Sequence, residues 1–90
     1  MDLSALPGGE LVAAGLADLA GGVDSPEALL VLIGRPRLQR LGLAVPDGVD
    51  HPELRLYELL AASDPDSAHG RYNALVRRLV SFERAAECVS

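Results

Sequence analysis

Residues 65–89 have the period of one long amphipathic helix. The apolar residues of this segment recur at steps of four, three, four, three and four, which places them on one stripe. They are Ala68, Tyr72, Leu75, Leu79, Phe82 and Ala86. At 1.5 Å per residue the helix spans about 36 Å, more than the width of a compact chain of this length. Part of the stripe is therefore expected to lack a partner within the chain.

Turn-forming and capping residues divide the chain into further helices. Asp64 before Pro65 predicts the start of the long helix, with aspartate as the cap and proline at the first helical position. The other helices are predicted at residues 9–20, 26–33, 36–41 and 52–62. The sequence predicts an all-α fold, a small bundle of four main helices plus one short helix, formed by a single domain over residues 1–90 and ending in the long amphipathic helix.

The second segment is the one whose secondary structure the pattern leaves open. Residues 28–33 are an unbroken apolar run, Ala-Leu-Leu-Val-Leu-Ile, which is as typical of a buried strand as of a buried helix. Ser25, Pro26 and Glu27 favour the helix, because they supply a cap, a first position and an acid for the helix dipole. Gly15 in the first helix is either a weak point or a place where another helix approaches closely.

The fourth helix and the segment before it complete the predicted architecture. One side of the helix carries Leu56, Leu59 and Leu60, and another carries Leu54, Tyr57 and Ala61. The helix is therefore expected to be sandwiched between neighbours. Asp50 and Glu53 have the spacing of a capping box, although His51 can also hold the cap position. Residues 44–50 contain Pro-Asp-Gly and are predicted to form a solvent loop.

Composition restricts the function classes. The net charge of −5 argues against nucleic-acid binding by the whole surface, which needs clustered positive charge. No apolar run is long enough to span a membrane, so we expect a cytoplasmic protein without a membrane partner. A single cysteine, Cys88, is present, so an internal disulfide is excluded.

The charges alternate in acidic and basic blocks along the sequence. Such blocks neutralise one another if helices fold back or if two chains pair.

The stripe of the last helix is the predicted interaction site. Arginines on one flank are expected to cover it with their stems and to pair with acids across a helix interface. The predicted interface consists of Tyr72, Leu75, Val76, Leu79, Phe82, Arg71 and Arg78. The expected partner is a second copy of the chain or another protein, which makes the chain a small non-enzymatic interaction or homodimerisation module.

Catalytic and metal-binding patterns are absent from the sequence. There is no phosphate-binding loop, nucleophile elbow or His-Glu-x-x-His pair, so neither an enzyme, a cofactor nor a metal is expected. Glu83 lies at the border of the stripe, where its carboxylate needs a partner; Arg40 and Arg55 are the predicted candidates. His69 and Asn73 are one helical turn apart, a spacing that orients an imidazole, and both Glu83 and His69 remain open to a functional role.

A small DNA-binding regulator or antitoxin-like protein is the alternative hypothesis. Residues 26–43 can form helix, turn and helix, which would present Arg35, Arg37 and Arg40 together as nucleic-acid contacts. The second helix of this pair is short, because Pro36 begins it and Gly42 ends it. Leu38 is more simply explained as a core residue. The interaction module is therefore the preferred interpretation.

Overall fold

The computed structural model describes residues 2–89. It consists of helices and the segments that connect them, with no strand among these residues. A short 3-10 helix, Leu3–Ala5, precedes five α helices. These are α1 (Gly9–Ala20), α2 (Pro26–Ile33), α3 (Arg35–Arg40), α4 (Pro52–Ser63) and α5 (Ala68–Val89). The predicted all-α fold with four main helices and one short one is confirmed.

Helix α2 forms the centre of the molecule and packs against α1, α4 and α5. Residues 28–32 are all buried, which explains why this stretch has no polar side. The Ser25 hydroxyl accepts a hydrogen bond from the Ala28 N–H at 3.0 Å, and Gly34 ends the helix. The segment is thus a helix and not a strand. The capping residues favour the helix because they satisfy backbone groups that a helix leaves without partners.

Helices α1 and α2 come into close contact at Gly15. A Cβ atom on this residue would overlap the Glu27 carbonyl oxygen and the Val31 side chain. Glycine therefore lets the two backbones approach, as one of the two sequence interpretations predicted. Val12, one turn earlier on the same side of α1, is fully buried.

The segment after α3 is packed more closely than the predicted solvent loop. Val45 is buried, and its carbonyl oxygen accepts a hydrogen bond from Arg35 Nε at 3.1 Å. Arg35 also forms an ion pair with Asp47 at 2.8 Å. One arginine of α3 thus holds residues 45–47 against the helix that precedes them.

Helix α4 begins without the predicted capping box. His51 holds the cap position in a left-handed conformation, φ 55°, and makes no capping hydrogen bond with its side chain. Leu56 and Leu60 are buried, whereas Leu54, Tyr57 and Leu59 are exposed. The helix packs against both α2 and α5, so the expectation of two neighbours is confirmed, but these neighbours leave Leu54, Tyr57 and Leu59 uncovered.

Helix α5 begins at Ala68, three residues later than predicted. Residues 65–67 form a turn, in which the Asp64 carboxylate accepts a hydrogen bond from the Asp66 N–H at 3.2 Å. The 22 residues of the helix extend about 33 Å, within a molecule that is 38 Å long. The helix therefore runs along nearly the whole molecule, with buried residues from Ala68 to Ala86.

Candidate functional site

The inner line of the α5 stripe is covered by the chain itself. Leu79 and Phe82, two residues of the predicted interface, are buried in the core. Tyr72, Leu75 and Val76 lie beside that core and are half-buried. Any partner that binds α5 therefore contacts the edges of the stripe and not its centre.

One edge of the stripe continues into exposed apolar side chains of α4. The rings of Tyr57 and Tyr72 are in contact, with centroids 6.0 Å apart and planes inclined at 59°. Leu54 lies one turn before Tyr57 on α4, and Val76 lies one turn after Tyr72 on α5. Leu54 is 59% exposed and Tyr57 is 39% exposed. We call this area, together with Val80 one turn further along α5, the flank surface: Leu54, Tyr57, Tyr72, Val76 and Val80.

Part of the flank surface was not predicted from the sequence. The sequence predicts that Leu54 and Tyr57 are covered by a neighbouring element, and Val80 lies outside the predicted stripe of the last helix. The four-residue spacing of Tyr72, Val76 and Val80 is the signal that predicts a second apolar line on the helix. It is weaker than the main stripe because the line drifts around the helix.

A groove continues the flank surface towards the end of α5. It has a volume of about 280 Å³ and lies between α3 and α5. Its lining includes Ile33, Pro36, Val80, Arg40 and Glu83. The groove therefore combines apolar side chains with one buried carboxylate, that of Glu83, and with the guanidinium groups of Arg37 and Arg40.

Glu83 is the one buried charged residue among those that the structure describes, with 4% of its surface exposed. Arg37 reaches its Oε1 at 3.5 Å, while the same guanidinium binds Glu87 at 2.5 Å. The predicted need for an arginine is thus met by Arg37. Neither of the predicted candidates takes this place, although Arg40 lines the same groove. Of the two α3 arginines that line the groove, Arg37 is the one within ion-pair distance of Glu83.

The two carboxyl groups near Arg37 have pKa values shifted in opposite directions. Burial raises the pKa of Glu83, and the charges of Arg37 and Arg40 offset this only in part. The hydrogen bond from Arg37 lowers the pKa of the more exposed Glu87. Arg37 therefore stabilises the ionised form of Glu87 more effectively than that of Glu83.

The replacement of Glu83 by glutamine is expected to raise the unfolding temperature at pH 7. The pKa of Glu83 in the folded chain lies above its ordinary value of 4.5, so the folded chain binds this proton more tightly than the unfolded one. The resulting stabilisation is complete below that value and is lost as the pH rises through the raised pKa. Thermal unfolding of both chains between pH 4 and pH 7 should show an advantage of Glu83→Gln that shrinks towards pH 4.

Glu87→Gln is the matched control for this prediction. Its pKa is lowered in the folded chain, so its stabilisation is present at neutral pH and disappears as the pH falls. Glu87→Gln is expected to lower the unfolding temperature at pH 7, the opposite sign to Glu83→Gln. A loss of stability at pH 7 in both variants would contradict this account of Glu83. It would show that the charges of Arg37 and Arg40 fully offset the cost of burying its carboxylate.

The three arginines predicted to contact nucleic acid differ in their ion pairs. Arg35 binds Asp47 and Arg37 binds Glu83 and Glu87. Arg40 is exposed and makes no ion pair with any residue from 2 to 89. Two of the three guanidinium groups thus form ion pairs with carboxylates of the same chain.

The two arginines of the predicted interface lie on the other edge of the stripe. Arg71 and Arg78 line a separate hollow of about 270 Å³ with Leu75 and Leu60. Arg78 forms an ion pair with Glu10 of α1, which is the expected pairing across a helix interface, within one chain. The structure therefore divides the predicted interface into a covered centre and two different edges.

The remaining polar side chains form small local contacts. His69 Nε2 and Asn73 Nδ2 lie 3.2 Å apart on the exposed side of α5, as the one-turn spacing predicted. Within residues 2–89, no three His, Cys, Asp or Glu side chains are grouped so that they could hold a metal ion. None of the helices described is both long and apolar enough to cross a membrane.

Comparison with known proteins gives no relative, since no family model, no curated protein and no solved structure matches the chain. The role of the flank surface is therefore inferred from its own residues.

Proposed function

We propose that the chain is a non-enzymatic interaction module that forms a homodimer through the flank surface. The observation that supports this most directly is the exposure of Leu54 and Tyr57 beside Tyr72. Adjacent apolar side chains on a surface are typical of interaction sites, and tyrosine is enriched in them. A second copy that covers this surface removes apolar area from water, which is the main favourable term in association.

Charges near the flank surface favour a second copy over an unrelated partner. Helix α4 and its flanking turns carry acids that form no ion pair with the described residues: Asp50, Glu53, Glu58, Asp64 and Asp66. Helices α3 and α5 carry arginines that likewise form no ion pair with the described residues: Arg40, Arg77 and Arg84, and Arg71 on the other edge of the stripe. One chain thus supplies both signs of charge, as a self-complementary interface requires.

Nucleic-acid binding has less support. Arg35 and Arg37 are engaged by carboxylates of the same chain, and a phosphate would have to compete with these for each guanidinium. The overall charge of −5 adds repulsion at long range. We retain the homodimer as the proposed function and the cytoplasm as its proposed location.

The replacement of Leu54 by aspartate is expected to convert the dimer to a monomer without unfolding the chain. Leu54 is exposed in the first turn of α4, where an acid suits the helix dipole. In a symmetric dimer each substitution acts twice, and each leucine side chain withdrawn from an apolar contact costs about 1.5 kcal/mol or more. Dimer affinity should therefore fall by at least about 100-fold, as measured by sedimentation over a range of concentrations.

Leu59→Asp is the matched control. Leu59 lies on the same helix with 39% of its surface exposed, but it lines a different hollow, with Asp24 and Arg55. We expect this variant to dimerise like the wild type. If Leu54→Asp keeps the affinity of the wild type, or if both variants lose it equally, the flank surface is not the interface.

A further inference from the structure

Two opposite charges lie at the two ends of the flank surface. Glu53 is one helical turn before Tyr57 on α4, and the Tyr57 ring contacts Tyr72 near the start of α5. Burial raises the pKa of Tyr72, and the nearby charge of Glu53 adds to this effect. Arg40 lines the groove that contains Glu83 near the end of α5. One end of the surface therefore carries an exposed acid, and the other carries Arg40, an exposed cation that forms no ion pair with residues 2–89 although its charge also acts on Glu83.

The two ends lie on the same side of α5. Tyr72 and Glu83 are eleven residues apart, close to three full turns, so they lie nearly in line along the helix. Their separation along the axis is about 16 Å. The midpoint of this line falls between Val76 and Val80, the two apolar residues of the flank surface on this part of the helix.

A twofold axis through this midpoint makes the surface complementary to itself. If the two α5 helices run antiparallel, the acidic end of one copy meets the basic end of the other, and Val76 faces Val80 across the axis. If they run parallel, Glu53 meets Glu53 and Arg40 meets Arg40, and both contacts are repulsive. Isologous dimers use the same patch twice, so the charges select the antiparallel arrangement.

The other cation in the groove is less able to serve this contact. Arg37 is bound to Glu87 at 2.5 Å and to Glu83 at 3.5 Å. Arg40 and Glu53 are both exposed, and neither forms an ion pair with residues 2–89. They are the charges that remain available at the two ends of the surface.

On the basis of the proposed function, we infer that the partner of the flank surface is a second copy whose α5 runs antiparallel to the first, with Arg40 of each copy against Glu53 of the other. The resulting interface has two Arg–Glu pairs, one at each end. The valines and tyrosines lie between them.

Charge reversal with rescue tests this register. Arg40→Glu and Glu53→Arg each replace two attractive pairs with two repulsive ones, so each single variant is expected to dimerise roughly tenfold more weakly. The chain with both changes restores opposite charges at both ends and should dimerise like the wild type. Affinities are measured by sedimentation equilibrium at low ionic strength, where rim charges are least screened.

Arg55→Glu and Glu58→Arg are the matched controls, because they make the same charge changes on the side of α4 that lines the hollow with Leu59. Both should dimerise like the wild type. A wild-type chain that stays monomeric overturns the homodimer itself. A wild-type dimer whose single variants lose no affinity, or whose double variant is not restored, overturns the antiparallel register and leaves the homodimer standing.

Discussion

Replacement of Gly15 by valine is expected to lower the free energy of unfolding by about 3 kcal/mol or more. The added atoms would have to occupy space filled by the Glu27 carbonyl oxygen and the Val31 side chain. The backbone cannot yield as a flexible side chain does, so α1 and α2 would have to move apart. This separation would open the most extensive helix contact of the molecule. Urea denaturation followed by circular dichroism measures the loss.

Gly70→Ala is the matched control for this prediction. Gly70 lies in α5, and a Cβ atom on it would meet no other atom within 4 Å. Alanine has a helix propensity about 1 kcal/mol more favourable than that of glycine, so this variant should be more stable than the wild type. Equal unfolding midpoints for Gly15→Val and the wild type would show that α1 and α2 are not packed at Gly15.

Replacement of Phe82 by alanine is expected to cost about 3–5 kcal/mol of stability. Phe82 is fully buried and is among the largest side chains of the core. Its removal leaves a cavity that surrounding residues fill only in part. A small domain has a total stability of only about 5–15 kcal/mol, so the variant should be partly unfolded at physiological temperature.

Phe82→Ala also tests whether Phe82 belongs to the core or to an interface with a second copy. If Phe82 contacted a second copy, as the stripe alone suggested, its loss of stability would depend on protein concentration through mass action. A core residue produces the same loss at every concentration. Leu59→Ala is the control, with an expected loss of about 1 kcal/mol or less because this side chain is partly exposed. A small or concentration-dependent effect of Phe82→Ala would place it outside the core.

The parts of the fold that depend on local chemistry could be predicted from the sequence. Ser25 and Pro26 begin α2 as expected, because a hydroxyl cap and a proline satisfy the same backbone requirements wherever the helix packs. Gly15 allowed two interpretations, and the close approach of α2 decides between them. At the start of α2 a few neighbouring residues carry all the information, whereas at Gly15 the packing of a second helix is needed as well.

The start of α5 shows where local rules compete. Asp64 and Pro65 are typical of a helix start, yet the Asp64 carboxylate closes a turn on the Asp66 N–H. The first hydrogen bond of the helix then runs from Arg71 to the Ser67 carbonyl oxygen. Aspartate serves both purposes equally well, so the sequence alone does not choose between the turn and the helix.

The candidate site depended on packing that no local pattern contains. Glu83 could be predicted to need a cation, but the sequence alone does not show that Arg37, and not Arg40, comes within ion-pair distance of it. Leu54 and Tyr57 have the spacing of buried residues, and only the position of α2 shows which side of α4 is covered. The flank surface therefore becomes visible only when the helices are assembled.

The mass of the wild-type chain in solution tests the proposed homodimer most directly. Light scattering after size exclusion, repeated over a 100-fold range of loading concentration, gives this mass without assumptions about shape. We predict twice the mass of one chain, with a shift towards a single chain only at the lowest concentrations. A mass of one chain at every concentration would contradict the proposed homodimer.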